Sequence, residues 1–382
     1  MTREELDILL TAEVSEAIRM NIERDPLRVA LDAKVPHARE VATQVKYLQR
    51  ARRKLPRLYA ACGIIPARAF EQSSSEECAA EKHIEGDSLL DLTCGLGMDA
   101  AALAGRFRRV VALERDEVLA AVTRENMRRM GITNVEVVNT SAEEYLSTTH
   151  EHFDWVYVDP DRRTAEGQRV VRLEDCSPNV LALMPQIERT AERLAIKNSP
   201  LFDVEEAFRL FPRSSVEVVS LKDECKEVMI YLGGGEPTLS AVAVGRGRFD
   251  IQRDKIINVT PPHEFLASDY LYLVIPDVAL QKARIVATAM QGKADVWSNN
   301  SFGFARELPE GVLGRVERIE RIEPFDIRSL KRELKGKGVD IILRDFPMGV
   351  DELRKRCGAR SGNEKRVALT RIAGKSYTIY LN

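Results

Sequence analysis

Long hydrophobic runs are missing from this sequence. No stretch of about eighteen apolar residues occurs, and the opening MTREELDILL lacks the basic segment and apolar run of a secretion signal. A cytoplasmic protein that neither crosses nor enters a membrane is expected. Cysteine is sparse, with six scattered at Cys62, Cys78, Cys94, Cys176, Cys225 and Cys357, no CxxC pair, and no histidine at metal-ligand spacing. That pattern excludes a disulfide scaffold and a zinc module, so reduced thiols and no metal are expected. His150 and His152 stand beside no cysteine and read as a solvated helix end. No internal repeat or low-complexity tract appears. What is there is ordinary for a folded chain: 44% hydrophobic and 30% charged residues exclude collagen-like, mucin-like and largely disordered classes. At 382 residues the chain exceeds what one core usually serves, so two or three domains are expected.

The formal net charge of −2 hides an uneven distribution. Residues 41–70 carry seven basic side chains (Lys46, Arg50, Arg52, Arg53, Lys54, Arg57, Arg68) and no acid, and from residue 311 onward seventeen basic residues face ten acidic ones. Two basic regions therefore flank an acidic middle, a layout that suits an anionic partner as well as plain solvated helix faces.

Residues 1–71 read as helices, the longest over 37–54 and closed by Pro56. The polar run Gln72-Ser-Ser-Ser-Glu-Glu77 looks like a hinge, with serines placed to cap a helix over 77–83. From residue 87 the texture changes to short apolar runs alternating with amphipathic stretches: SLLDLT, VVALE, VEVVN, WVYVD, ERLAIK, SVEVVSL and EVMIYLG. Strands alternating with helices, for instance over 117–130 and 204–211, predict a Rossmann-like α/β domain over 72–235 with a parallel sheet. Its last two runs read as a hairpin at the sheet's edge. Gly233-Gly-Gly-Glu-Pro237 punctuates the end of that domain as a linker, since no Gly-Lys-Ser/Thr follows to make it a phosphate loop. Residues 236–310 and 311–382 read as two small α+β regions, with a helix over 278–291 in the first and a terminal hairpin in the second.

Asp91-Leu-Thr93-Cys-Gly95-Leu-Gly97-Met-Asp99 lies where the first strand turns into the first helix. Gly95 and Gly97 let the backbone bend sharply and approach a ligand closely. The Gly95-x-Gly97-x-x-Ala100 spacing alone fits both NAD and S-adenosylmethionine. Asp91 separates them: a pyrophosphate would meet repulsion there, whereas the ammonium and sulfonium of S-adenosylmethionine would be attracted. Glu114, ending the second strand, is placed to accept from both ribose hydroxyls of either cofactor. After strand three, Ser141 takes the place of an adenine contact, or caps a helix in a capping box with Glu144.

Strand four ends in Asp159-Pro160-Asp161-Arg162-Arg163, where a transferable methyl would meet its acceptor. Displacement at a methyl carbon needs a lone pair held about 3 to 3.5 Å away and little acid or base help. Asp159 could touch the cofactor and orient an amino group for it, with Pro160 fixing the backbone behind and Asp161 and Arg162 as further catalytic candidates. Arg162 and Arg163 could fork a phosphate, or pair with Asp159 and Asp161. Lys197, ending the next strand, is a further substrate-facing candidate or a solvated strand end.

These residues resemble class I S-adenosylmethionine-dependent methyltransferases. The wider chain looks like their bacterial branch with a C-terminal THUMP-like domain, marked further by Gln72 to Glu76, Arg344-Asp-Phe346 and Leu369-Thr-Arg371. The resemblance implies a seven-stranded methyltransferase sheet, a ferredoxin-like α+β domain over 236–310, a THUMP-like domain over 311–382, and a Gln72–Glu76 segment that closes over the cofactor's methionine end. The core is also similar to RNA cap guanine-N2 methyltransferases, which implies a nucleic-acid base as acceptor and RNA as partner. Asp-Pro-Asp-Arg departs from the Asn or Asp, two prolines and an aromatic of amino-methylating relatives, so base stacking does not follow from this stretch. Three other readings stay open: a methyltransferase with a non-RNA substrate, an NAD oxidoreductase, and a non-catalytic binding module.

Overall fold

Helix Arg3–Leu10 begins at a complete capping box: Thr2 Oγ1 accepts from the Glu5 amide (3.1 Å) and Glu5 Oε2 from the Thr2 amide (2.9 Å). Helices Ala12–Asn21, Pro26–Ala30, Ala38–Lys54 and Pro56–Ala60 follow. The longest buries Val41, Ala42, Val45, Leu48 and Ala51 along one stripe. Gln44 is buried in the same stripe, satisfied by donating to the Ile65 carbonyl (3.3 Å) and accepting from the Ile65 amide (2.8 Å). Asn126 repeats this device with both backbone groups of Ile64, at 2.8 Å each.

These contacts come from a computed structural model that describes residues 1–161 and 172–382. The chain forms two units, Met1–Ser214 with Val228–Gly235, and Ser215–Glu227 with Glu236–Asn382.

In the first unit the N-terminal helices do not own a separate core. Leu6, Leu48, Leu58 and Ile65 share one cluster with Leu96, Met98 and Val122, which belong to the glycine loop and the helices after it. The serine run supplies the cap that its spacing suggested. Ser75 caps helix Glu76–Ala80 by accepting from the Cys78 amide (3.2 Å), and Glu76 Oε1 accepts from the Arg57 amide (2.9 Å). Polarity that reads as a linker is used here for capping.

Strands β1 (Gly86–Asp91), β2 (Phe107–Leu113), β3 (Val135–Val138), β4 (Phe153–Val158), β5 (Ala191–Asn198), β6 (Ser215–Leu221) and β7 (Glu224–Leu232) supply the seven expected. In the first unit they run in the order β3-β2-β1-β4-β5-β7, parallel except that β7 is antiparallel to β5. Asp91 lies level with Ala112 on one side and Tyr157 on the other. The chain order reverses between β1 and β4, so a crevice opens at their carboxyl ends.

In the second unit β6 leads into a two-residue turn, Lys222 and Asp223, both at positive φ (55° and 63°) as hairpin turns of type I′ require. The hairpin does not make an edge of β6, which pairs in parallel with β8 (Thr238–Ala243), itself antiparallel to β9 (Gly247–Gln252). An eight-stranded sheet follows, built from β10 (Tyr272–Pro276), β11 (Asp295–Val296), β12 (Gly303–Ala305), β13 (Gly314–Pro324), β14 (Gly338–Leu343), β15 (Arg360–Ser361), β16 (Lys365–Ile372) and β17 (Lys375–Leu381). Strand β13 pairs with β10 on one side and β17 on the other, so residues 272–310 and 311–382 contribute to one sheet. The helix expected over 278–291 is two, Val278–Lys282 and Val286–Met290, because Arg284 sits at φ 59° between them. Among the described residues no helix is long and apolar enough to cross a membrane.

Candidate active site

The glycine loop is held open by its neighbours. Gly95 and Gly97 take φ of 55° and 82°, values that favour glycine. A Cβ on Gly97 would lie 2.5 Å from Met127 Cε and 2.7 Å from Thr123 Cγ2, so the loop can pack here only without a side chain. At Gly95 a Cβ would meet nothing within 4 Å, leaving space against the backbone. Thr123 Oγ1 donates to the Gly95 carbonyl (2.7 Å), and the Gly95 amide donates to Glu114 Oε2 (3.0 Å). Glu114 Oε1 accepts from the Asp116 amide (2.8 Å), which fixes the carboxylate beside the loop. Burial raises the Glu114 carboxyl above its ordinary range against those two hydrogen bonds.

Asp91 is buried at the end of β1, its Oδ1 accepting from the Thr93 amide (2.9 Å). Burial, with the Asp99, Asp159 and Glu114 charges adding to it, pushes its carboxyl up to about 8. Among the described residues no cation lies within ion-pair distance of it. Burial and the same cluster of acids raise the Cys94 thiol well above its ordinary value, which makes it a poor nucleophile.

The other end of the crevice holds its own cations. Lys82, 1% exposed, contacts Asp99 Oδ1 at 2.7 Å. Asp99 Oδ2 accepts from Ser74 Oγ (2.9 Å) and from the Tyr157 hydroxyl (3.0 Å). Lys197 Nζ lies 3.5 Å from Asp99 Oδ2, donates to Ser74 Oγ (2.9 Å) and reaches Asp159 Oδ2 at 2.5 Å. Burial alone would raise the Asp99 carboxyl, but Lys82 and Lys197 overcome it and hold it well below the ordinary carboxylate range. Lys197 is therefore mostly buried and bound to acids, where the sequence left a solvated strand end open. Asp159 is tied to the cofactor loop as well, its amide donating to Thr93 Oγ1 (2.6 Å).

The remaining expected residues divide. Pro160 is buried behind Asp159. Asp161 exchanges backbone hydrogen bonds with Ser177 (2.8 and 2.9 Å), and its carboxylate lies 3.7 Å from Arg68 Nη2. Arg162 and Arg163 lie outside the described residues. Ser141 is the N-cap of helix Ala142–Thr148, accepting from the Glu144 amide (3.1 Å). The expected capping box is only half formed, since Glu144 Oε2 accepts from Thr140 Oγ1 (2.8 Å) instead of reaching back to Ser141. Ser74 falls in the segment that the resemblance set over the cofactor's methionine end and Asp99 closes the glycine loop, whereas Lys82 and Tyr157 were given no place at the site by the sequence. Asp99 reads as an acid at a helix start and Tyr157 as strand core; only the burial of Lys82 shows that they form one network.

Four carboxyl groups thus face two ammonium groups in one crevice, and the two without a lysine of their own, Asp91 and Glu114, lie at one end. An ammonium or sulfonium fits there, and a pyrophosphate does not.

A methyltransferase-domain family model matches residues 89–170, and a THUMP domain-like model matches residues 314–381. An uncharacterized S-adenosylmethionine-dependent methyltransferase of Mycobacterium tuberculosis is 26% identical over 317 residues, covering 81% of this chain and 84% of its own. Ribosomal RNA small subunit methyltransferase J of Francisella philomiragia is 38% identical over 100 residues, 23% of this chain and 42% of that one. Among solved structures, a candidate methyltransferase of Porphyromonas gingivalis W83 superimposes with a TM-score of 0.85 at 25% identity, covering 100% of this chain and 99% of its own. These likenesses decide between the two cofactors that the glycine spacing left open, and they set the NAD reading aside. The chain is an S-adenosylmethionine-dependent methyltransferase, with a methyltransferase domain matched over residues 89–170 and a THUMP-like domain over residues 314–381.

Proposed function

We propose that the protein transfers the methyl group of S-adenosylmethionine to a base in RNA. The observation that carries the cofactor half is the buried Asp91 carboxyl, which has acids around it and gains a counter-charge only from a cationic ligand. In this reading Asp91, Thr93, Gly95 and Gly97 hold the methionine end, Glu114 takes the ribose hydroxyls, and Ser141 lies on the adenine side. The cofactor supplies an electrophilic methyl carbon. Asp159 accepts an N–H from an exocyclic amine and aims the nitrogen lone pair along the line of displacement. Lys197 orients that carboxylate through its 2.5 Å contact, and Pro160 fixes the turn. Asp161 lies on the acceptor side in this reading, and Arg162 and Arg163 stay candidates from the sequence alone.

The RNA half is supported by the ribosomal RNA methyltransferase J relatives and by the THUMP-like match. Mass spectrometry of nucleosides from cells with and without the gene tests it, paired with the purified protein acting on RNA from the deficient strain. One methylated nucleoside absent from the deficient strain and restored in vitro is the expected result. Identical nucleoside profiles, with no methyl incorporation into that RNA, would overturn the proposal in favour of another acceptor.

A further inference from the structure

Helix Ala38–Lys54 exposes Arg39, Thr43, Lys46, Arg50 and Arg53, a run of i, i+4, i+7, i+11 and i+14 positions that places them in one solvent-facing row. Arg57, in helix Pro56–Ala60, follows four residues on and is exposed as well. At about 1.5 Å per residue the row from Arg39 to Arg53 is about 21 Å long. Aromatic rings are interleaved: the Arg50 guanidinium lies 5.4 Å from the Tyr47 ring centre and 4.9 Å from that of Phe70.

Both basic regions of the sequence spend part of their charge on carboxylates, and beside the N-terminal row Arg52 pairs with Glu23 at 3.6 Å. In the C-terminal region Arg321 pairs with Glu320, Glu323 and Glu333, Arg354 with Asp351, Arg356 with Glu352, and Arg366 with Glu317 and Asp340. In the N-terminal row, Arg39, Lys46, Arg53 and Arg57 have no carboxylate within ion-pair distance among the described residues. Arg50 alone spends its charge, on Glu71 at 2.7 Å.

The row also leads to the site. Lys54 Nζ donates to the Phe70 carbonyl (2.6 Å), joining the helix to helix Ala67–Gln72, and Arg68 of that helix reaches Asp161 at 3.7 Å. From the stripe and its continuation we infer that Arg39, Lys46, Arg53 and Arg57 form a phosphate track that holds the backbone of single-stranded RNA and delivers a base to Asp159. The inference rests on the RNA reading above and adds where the strand runs. A solvent-facing row about 21 Å long whose Arg39, Lys46 and Arg53 have no carboxylate within ion-pair distance among the described residues suits a chain of phosphates.

The test is fluorescence anisotropy of a labelled single-stranded RNA of mixed sequence against the full chain and its Arg39→Gln/Lys46→Gln/Arg53→Gln/Arg57→Gln variant, across a salt series. Each phosphate contact contributes about 0.7 to the slope of log K against log salt for single strands. The variant is expected to lose about 3 from that slope and at least about tenfold in affinity at low salt. Calorimetric titration with S-adenosylhomocysteine must be unchanged, which shows that the variant is folded. Equal RNA affinity and slope in a folded variant would overturn the track while leaving the RNA methyltransferase reading intact. Wild-type chain that neither binds nor methylates RNA would overturn both. Row-dependent binding to phosphatidylserine vesicles with none to RNA would overturn the track in favour of a membrane surface.

Discussion

Asp91 and Asp159 end neighbouring parallel strands, or lie one residue past the end, yet their surroundings are opposite. Asp91 is buried among other acids and holds its proton up to about pH 8. Asp159 has Lys197 at 2.5 Å and the Thr93 hydroxyl at its amide. One carboxyl has no cation within ion-pair distance among the described residues, and the other has its cation supplied by the fold. A residue type at a strand end therefore says little about its task until the charges around it are counted.

The largest effect expected from breaking this asymmetry is on stability. Lys82→Met leaves Asp99 buried with one of its two cations gone, and should cost about 3 to 5 kcal/mol in urea unfolding. Lys82→Met/Asp99→Asn should recover most of that loss, and a double variant no more stable than the single one would show that the pair is not a local unit. Next comes turnover: Asp159→Ala should lower methyl transfer about 100- to 1000-fold with S-adenosylhomocysteine affinity retained in calorimetry. An equal loss of cofactor affinity would place Asp159 at the cofactor instead.

The third expectation sharpens the Asp91 side by pH. Its folded-state carboxyl is raised above the ordinary 3.8, so the unliganded fold holds a proton that the unfolded chain releases. Stability from this group is complete below about pH 4 and is lost as pH rises toward about 8. Affinity for the cationic cofactor should run the other way, climbing up to tenfold per pH unit and levelling above about pH 8, as binding favours the charged form. Asp91→Asn should flatten both profiles, and a persistent climb in that variant would assign the proton to another group. The smallest effect lies outside the crevice proper. Ser141→Ala should cost about 1 kcal/mol of thermal stability through the lost cap, and a larger change in cofactor affinity than in stability would mark the hydroxyl as an adenine contact.

Much of this was legible because it is local. The Asp91 to Gly97 turn, Glu114 after β2 and Asp159 after β4 follow from short spacings and the α/β alternation. The network between them was not, because it joins distant parts of the chain: Ser74 and Lys197 are 123 residues apart. The cap at Ser75 was legible from its spacing, though the helix starts at Glu76 and not at 77, whereas Arg284 gave no sign that its backbone would break a helix. Lys82 reads like any surface lysine until tertiary packing buries it.

The shared cluster around Leu96 and Met98 has a practical reach. Cutting the chain at residue 72 would strip Leu48, Leu58 and Ile65 from the far side of the glycine turn and leave Asn126 without its backbone partner. The smallest piece that can keep that turn in shape therefore begins with the first helices, and a transplant of the sheet alone would carry the catalytic letters without the wall they lean on.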